Sequence, residues 1–468
     1  MGGVHPDGGQ PALDGDYMRT LDRSRLERLL REEEMKFRAE HQKSHELYQR
    51  ACHSLQGGVP MLWMIRWAGT FPVFVKDAKG AHFTDIDGRS YIDFCLGDTG
   101  AMTGHSPDAT LAAINVQVAK GITLMLPTED AVWVGEELQR RFGLKYWQFT
   151  LTATDANRFA IRMARHITGR LKILVFNYCY HGSVDEAFIT LDEDGAPGPR
   201  PGNLGPPVNP VETTKVIEFN DIPALETTLA TKDVAVVLAE PVMTNIGIIH
   251  PDPGYHSALR EITRRTGTLL IIDETHTLCT SPGGYTGKYG LKPDILTCGK
   301  PLAGGIPAGV YGFTQEVADE FWAKLELDQS DVGGIGGTLA GNALSIAAMR
   351  ATLEHVLTPV MYERCEKLAD RYETGVLDVI KEFDLPWIVK RLGFRVEYWF
   401  RQTAPRNGGE ANAAVDSELD RYMHLWALNR GILMTPFHNM ALIAADTTEP
   451  DVDYHTKIFR EAVQALFG

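Results

Sequence analysis

A lysine and a carboxylate follow two short apolar runs in this sequence. Thr268–Ile272 leads directly into Asp273, and Ile295–Thr297 leads within a few residues to Lys300. Because ligands of an open parallel sheet bind at the carboxyl ends of its strands, we expect both side chains in one site. A partly desolvated lysine can act as a nucleophile, for instance by forming a Schiff base, and a carboxylate beside a pyridine nitrogen keeps that nitrogen protonated. The spacing also suits a structural ion pair at the rim of a sheet, so spacing alone leaves both interpretations open.

A second candidate feature is a helix start that could bind an anion. Thr152 or Thr154 could hydrogen-bond a phosphate together with the backbone N–H groups of the first helical turn. Thr152 could equally be a plain N-cap, with Asp155 completing a capping box. A P-loop is excluded at Lys300, because Pro301 follows it where that motif needs serine or threonine.

Length, charge and cysteine usage exclude several classes of protein. The chain has 468 residues and a net charge of −15, so we expect no binding to nucleic acid or to an anionic membrane. No apolar run reaches the roughly 18 residues of a membrane span, and the N-terminus lacks the pattern of a secretory signal. Six scattered cysteines indicate free thiols in a reducing cytosol and no metal site. The sequence therefore predicts a cytoplasmic protein of more than one domain.

The middle of the chain alternates helical and strand-like segments. Helices are predicted over Glu129–Phe142, Ala156–Thr168, Ile222–Thr231 and Tyr255–Thr266. Strands are predicted over Lys172–Phe176, Val234–Ala239, Thr268–Ile272 and Ile295–Thr297. This alternation predicts an α/β fold, with a mostly parallel sheet covered on both faces. The charged stretch from Asp22 to about Leu55 predicts a helix whose one face is either docked or solvated.

Several segments, in this order, resemble the class III aminotransferases, which are pyridoxal-phosphate enzymes of fold type I. The resemblance runs from about Gly57 to the C-terminus and is strongest to the branch similar to glutamate-1-semialdehyde aminomutase. The segments that carry it are Asp85–Phe94, Gly104–His105, Thr152–Ala156, Tyr180–Gly182, Glu240–Gly247, Pro253–Arg260, Asp273–Glu274, Gly299–Gly305, Gly337–Asn342 and Asn429–Leu433. The resemblance implies a large cofactor-binding domain over residues 106–345. It implies a smaller α+β domain built from residues 57–105 and 346–468, with residues 1–56 as an N-terminal arm and helix.

The resemblance also implies a cofactor and a role for each matching residue. Pyridoxal 5′-phosphate would be held by Lys300 through a Schiff base, with Asp273 paired to the pyridinium nitrogen. Lys300 would then carry protons between the substrate and the cofactor. The other implied contacts are Ala153 and Thr154 at the phosphate, Tyr180 and Thr275 on the two ring faces, His276 and Asn245 near the phenolic oxygen, and Thr338 at the phosphate of a neighbouring subunit. The last contact implies a homodimer, or a tetramer built from dimers, with sites shared between subunits.

The sequence departs from the aminomutase-like branch on the substrate side. Members of that branch place an arginine several residues after Gly-Gly-Val, where it binds the substrate carboxylate. Here Trp63 and Met64 occupy that region, and Arg66 lies two or three residues further on. These three are the candidate substrate-binding residues, and the first two favour an apolar or aromatic substituent. The arginines that could replace the carboxylate clamp are Arg391, Arg395 and Arg401, and each also suits a purely structural role.

Three functions are compatible with these observations. The first is a transaminase that moves an amino group from an amine or amino acid to a keto acid by a ping-pong mechanism. The alternative is an aminomutase or an amino acid racemase of the same fold. A non-catalytic cofactor-binding protein is disfavoured because Lys300 and Asp273 are both present.

Overall fold

The computed structural model of the protein describes residues 21–325, 334–436 and 438–468. Its helices are α1 (Arg23–Glu40), α2 (Gln42–Ala51), α3 (Asp108–Val118), α4 (Glu129–Phe142), α5 (Ala153–Thr168), α6 (Pro210–Thr213), α7 (Ile222–Ala230), α8 (Tyr255–Thr266), α9 (Gly284–Tyr289), α10 (Gln315–Lys324), α11 (Ala343–His355), α12 (Pro359–Glu382), α13 (Gly408–Asn412), α14 (Ser417–Leu428) and α15 (Glu449–Phe467). Its strands are β1 (Val75–Lys79), β2 (His82–Asp85), β3 (Ser90–Asp93), β4 (Tyr146–Thr150), β5 (Lys172–Phe176), β6 (Ile189–Leu191), β7 (Pro197–Pro199), β8 (Thr214–Ile217), β9 (Val234–Ala239), β10 (Leu269–Asp273), β11 (Ile295–Cys298), β12 (Gly309–Phe313), β13 (Ile388–Leu392), β14 (Arg395–Trp399), β15 (Ile432–Leu433) and β16 (Met440–Leu442).

The largest sheet aligns the strand ends that carry the candidate residues. Its strand order is β4–β12–β11–β10–β9–β5–β8, and β12 runs antiparallel to both of its neighbours while the other pairs are parallel. Every residue of β9 is buried, because helices cover both faces of the sheet. The predicted α/β fold with a mostly parallel sheet is confirmed. Strands β4, β8 and β12 were not predicted from the sequence.

The register of β10 against β11 brings the lysine and the carboxylate to one edge. Asp273 is the last residue of β10 and lies opposite Thr297 of β11. Gly299 and Lys300 follow β11 directly, and Lys300 adopts a left-handed backbone conformation with φ +46°. The two strands therefore end side by side, as the order of the apolar runs predicted.

Helix α5 begins at Ala153, three residues before the predicted start at Ala156. Thr152 is its N-cap, and the hydroxyl of Thr152 accepts a hydrogen bond from the backbone N–H of Asp155 at 3.2 Å. The prediction of Thr152 as an N-cap is thus confirmed.

Two smaller sheets join parts of the chain that are distant in sequence. One has the order β1–β2–β3–β15, and β15 runs parallel to β3 with Ile432 opposite Ile92. The other has the order β13–β14–β16 and is antiparallel. N-terminal and C-terminal strands therefore share a sheet. The domain boundaries inferred from the sequence stay a prediction.

The N-terminal charged stretch forms two helices rather than one. His41 separates α1 from α2 with φ −126° and ψ 47°. Its buried ring contacts the Tyr91 hydroxyl at 2.7 Å and the Phe37 carbonyl at 2.8 Å, which holds the chain out of the helical path. Leu26 and Phe37 of α1 are fully buried, so the helix is docked, and the surface that receives it includes α14 of the same chain. Within the described residues, each helix is too short or too polar to cross a bilayer.

Candidate active site

A pocket of about 420 Å³ opens at the carboxyl ends of β9, β10 and β11. Glu240, Asp273 and Lys300, which end or follow these three strands, line it. Ala153 and Thr154 at the start of α5 line the same pocket. The structure therefore gathers the predicted lysine, carboxylate and helix start around one cavity.

Asp273 is held as an anion at the base of the pocket. Its Oδ2 atom accepts a hydrogen bond from Asn157 Nδ2 at 2.9 Å and lies 3.0 Å from His181 Nδ1, while Oδ1 accepts from the backbone N–H of Thr275 at 3.0 Å. Burial alone raises the pKa of Asp273, but these hydrogen bonds and the charge of His181 outweigh it and lower the pKa to about 2. Asp273 is therefore a fixed negative charge that can pair with a protonated ring nitrogen.

His181 is the cation that holds Asp273 in place. Its side chain is fully buried. Burial lowers the pKa of His181, but the neighbouring Cys179 and Asp273 raise it to about 10. The Nε2 atom of His181 is buried without a hydrogen-bond partner among the described residues. Sequence reasoning did not assign His181 a role, although it follows Tyr180 in one of the resembling segments.

Two glycines leave room beside the start of α5. A Cβ atom on Gly299 would lie 2.9 Å from both the backbone nitrogen and the Cβ of Ala153. A Cβ on Gly182, which has φ +76°, would lie 2.0 Å from the Thr154 hydroxyl oxygen. That hydroxyl accepts a hydrogen bond from the backbone N–H of Ser183 at 3.1 Å. The free N–H groups of the first helical turn thus face a cradle lined by backbone and small side chains, which is the arrangement that binds phosphate.

Two polar side chains lie within hydrogen-bond distance of the Lys300 side-chain nitrogen. Its Nζ atom lies 2.7 Å from His276 Nε2 and 3.1 Å from Asp98 Oδ2. Burial and the charges of Lys300 and Arg395 lower the pKa of His276 well below its ordinary value, so its ring is neutral. Its Nε2 atom therefore accepts a hydrogen bond from Lys300, and its Nδ1–H faces the Thr99 hydroxyl oxygen at 3.1 Å.

Tyr180 and Thr275 line the pocket, as the resemblance implied. Burial raises the pKa of Tyr180 above its ordinary value, so its hydroxyl is neutral. The hydroxyl oxygen of Thr275 is buried without a hydrogen-bond partner among the described residues. Thr275 makes a hydrogen bond through its backbone N–H, which donates to Asp273 Oδ1.

Sequence reasoning missed Asp98 and Thr99, and it left Arg395 open between two roles. Asp98 and Thr99 follow β3 in a segment of four consecutive positive φ angles from Leu96 to Thr99. Arg395 lies on β14, is 2% exposed, and donates a hydrogen bond to the Thr99 hydroxyl. A turn signal at Gly97-Asp98 was visible in the sequence, but nothing local indicated what the turn would contact.

Several predicted site residues lie outside the pocket lining. The side-chain nitrogen of Asn245 donates to the Tyr178 carbonyl at 2.8 Å, and its role near a cofactor stays a prediction. Trp63 is 43% exposed and its ring centroid lies 5.4 Å from that of Tyr180, so it stands beside the pocket rather than in it. Met64, Arg66 and Thr338 are exposed and do not line the pocket. The role of Thr338 at a neighbouring subunit stays a prediction.

All three arginines considered as clamps have partners within the chain. Arg391 pairs with Asp370 and donates to the Gly393 carbonyl at 2.7 Å. Arg401 donates to the Glu410 carbonyl at 3.4 Å on the surface. Arg395 lies 3.6 Å from Asp98 Oδ1 and 3.4 Å from His276 Nδ1, and both of these residues contact Lys300.

Comparison with known proteins identifies the family that the fold and the pocket define. The sequence pattern of one protein family, described as "Aminotransferase class-III", matches residues 64–449 of the chain. The chain belongs to this family.

Similar proteins carry names of two kinds. A protein named glutamate-1-semialdehyde 2,1-aminomutase 2, from Brevibacillus brevis, is 32% identical over 91% of this chain and 99% of its own length. A crystal structure of a glutamate-1-semialdehyde-aminomutase from Pseudomonas aeruginosa PAO1 superposes with a TM-score of 0.93 at 49% identity, covering 95% of this chain and 99% of that one. A second structure of that enzyme is a complex with PMP. An omega-transaminase from Sphaerobacter thermophilus superposes with a TM-score of 0.83 at 28% identity, covering 91% of this chain and 98% of that one.

Proposed function

We propose that the protein is a pyridoxal-phosphate-dependent aminomutase, which moves an amino group between two carbons of one amino acid derivative. The observation that carries the cofactor chemistry is the convergence of Lys300, Asp273 and the start of α5 on one pocket. The similarity to proteins named aminomutases, at up to 49% identity over nearly the whole chain, supports rearrangement within one substrate.

The residues of the pocket fit pyridoxal 5′-phosphate at its phosphate and at its ring nitrogen. The first turn of α5, with Ala153 and Thr154, offers free N–H groups and a hydroxyl to the phosphate, and Gly299 and Gly182 keep that cradle open. Asp273 is a buried anion whose partners are already fixed, so it holds a pyridinium proton without reorganising. When bound, the cofactor supplies an electron sink for negative charge that develops on the substrate.

The chain itself supplies the lysine and the groups that control its proton. Lys300 Nζ would hold the cofactor, and once the amino group of the substrate has displaced it, the free lysine amine would carry a proton to and from the reacting carbons. The neutral ring of His276, 2.7 Å away, orients the lysine by accepting its hydrogen bond. Tyr180 and Thr275 both line the pocket and would cover the two faces of the cofactor ring, which would limit access of water to it.

A second candidate function is a transaminase for an amine with an apolar substituent. Trp63 stands beside Tyr180 at the pocket, in the region where the branch has its carboxylate-binding arginine. The similarity to the omega-transaminase also fits this function. In that case Trp63 and Met64 would form the wall against the substituent, and a keto acid would accept the amino group.

One experiment separates the two functions. Purified holoenzyme in its amino form is incubated with glutamate 1-semialdehyde, and in parallel with a panel of amino acids and aryl-alkyl amines, each with and without pyruvate. Chromatography then measures isomerised product and alanine. Product that forms without pyruvate and without alanine supports the aminomutase. Conversion that requires pyruvate and yields equimolar alanine contradicts it and supports the transaminase, and Lys300→Ala should abolish either activity.

A further inference from the structure

Asp98 places its carboxylate against the side-chain nitrogen of Lys300. The Oδ2 atom lies 3.1 Å from Lys300 Nζ, and the Asp98 side chain is one-third exposed. We propose that Asp98 is the counter-ion of Lys300, which fixes the position of the lysine nitrogen and favours its protonated form. This inference rests on the proposed function, because it concerns the lysine that holds the cofactor.

The backbone around Asp98 is built to present its side chain at this place. Leu96, Gly97, Asp98 and Thr99 have φ angles of +49°, +57°, +47° and +87°. Non-glycine residues are strained in this region and persist where surrounding contacts impose them. The carboxylate of Asp93 supplies such contacts, because its Oδ1 accepts the backbone N–H groups of Cys95 at 2.9 Å and Leu96 at 2.7 Å.

Arg395 competes for Asp98 only weakly. Its Nη1 atom lies 3.6 Å from Asp98 Oδ1, beyond hydrogen-bond distance. The guanidinium makes its hydrogen bonds instead to the Thr99 hydroxyl and to the Met440 sulfur. Asp98 Oδ2 therefore stays directed at Lys300.

The other titratable groups near Asp98 and Lys300 are neutral or are paired elsewhere, so Asp98 is the anion that faces the lysine. His276, which follows β10, and His438, which precedes β16, both face Asp98, and burial lowers the pKa of each, that of His438 to about 4. Tyr180 is neutral, and Asp273 is matched by the charge of His181. Partial desolvation raises the pKa of Asp98, but the charges of Lys300 and Arg395 outweigh it and hold that pKa well below its ordinary range, so the carboxylate is negative at neutral pH.

The test uses the holoenzyme and measures its visible absorbance as a function of pH. The cofactor band changes when the lysine nitrogen loses its proton. A carboxylate close to a cation favours the charged form of that cation, and the nearby Arg395 and the partial exposure of Asp98 weaken this effect here. We expect Asp98→Asn to move the transition down by about one pH unit, a tenfold weaker proton affinity. The surface variant Asp108→Asn removes the same charge and should leave the transition unchanged.

A second variant covers the case in which Asp98→Asn does not retain the cofactor. Asp98→Glu restores the carboxylate, and a transition within half a unit of the wild type then supports the inference, whereas a transition lowered by about a unit contradicts it. A transition that Asp98→Asn leaves unmoved, with the cofactor attached to Lys300, overturns this inference alone. A holoenzyme whose cofactor is not attached to Lys300 refutes the proposed function, and the inference fails with it.

Discussion

Replacing Gly182 by alanine should weaken cofactor binding without unfolding the protein. The added Cβ would lie 2.0 Å from the Thr154 hydroxyl oxygen, more than 1 Å inside an ordinary van der Waals contact. The added Cβ would also lie 2.9 Å from the Thr154 Cβ and 3.0 Å from its Cα, so the backbone of Thr154 must shift together with its side chain. That shift breaks the hydrogen bond from Ser183 N–H and moves the hydroxyl out of the phosphate cradle. A hydrogen bond to a charged group is worth about 1.5–3 kcal/mol, so we expect the Kd for pyridoxal phosphate to rise roughly 10- to 150-fold.

Gly169→Ala is the matched control for the backbone. Gly169 ends the same helix, α5, and has φ +67°, close to the +76° of Gly182, but an added Cβ would meet nothing within 4 Å. Both variants share a left-handed backbone cost of about 1 kcal/mol, but only Gly182→Ala adds a clash with Thr154, so it should lower the melting temperature of the apoprotein further than Gly169→Ala does. Cofactor titration of the apoprotein, followed by absorbance, gives the two Kd values. Equal affinities for Gly182→Ala and Gly169→Ala would refute the assignment of the phosphate cradle.

Three further predictions concern stability and the pocket wall. Glu33→Ala should lower the free energy of unfolding by about 3 kcal/mol in urea titrations, because the buried Glu33 carboxylate binds Asn429 and Arg430. The control Glu32→Ala removes an exposed carboxylate and should lower it by less than about 0.5 kcal/mol. Similar losses in the two variants would contradict the docking of α1. Thr275→Val should keep the affinity for the cofactor within about twofold of the wild type. It should also raise the melting temperature slightly, because it removes a buried hydroxyl that has no hydrogen-bond partner among the described residues. A tenfold loss of affinity would mean that this hydroxyl binds the cofactor. Because the pKa of His181 is raised in the folded protein, its stabilising charge is present below about pH 6.5 and is lost as the pH rises through about 10. The melting-temperature difference between the wild type and His181→Asn should therefore shrink from pH 6 to pH 10, and a constant difference would contradict this.

The positions of Asp273, Lys300 and the start of α5 could be predicted from the sequence, because each depends on the strand or helix directly next to it in the chain. Asp273 and Lys300 each follow an apolar strand, and neighbouring parallel strands end at the same edge of a sheet. The helix start at Thr152–Thr154 was likewise readable from capping residues, apart from a shift of three residues. The resemblance to a family added the roles that spacing could not provide.

The remaining parts of the site depend on contacts that no local pattern encodes. Asp98 meets Lys300 across 202 residues, and Arg395 meets Thr99 across 296. The left-handed turn that presents Asp98 is imposed by tertiary contacts rather than by residue preference, because only one of its four residues is glycine. The break at His41 has the same origin, since its buried contact with Tyr91 ends a helix that charge and periodicity would have continued.

The most direct test of the whole account is to locate the cofactor on the chain. Apoprotein reconstituted with pyridoxal phosphate is treated with borohydride, which makes the link between the cofactor and its lysine permanent, and is then digested and analysed by mass spectrometry. The account predicts that the phosphopyridoxyl group is found on the peptide that contains Lys300, and that Lys300→Ala carries none. Label on another lysine, or none on the wild type, would contradict the assignment of this pocket as the site of amino-group chemistry.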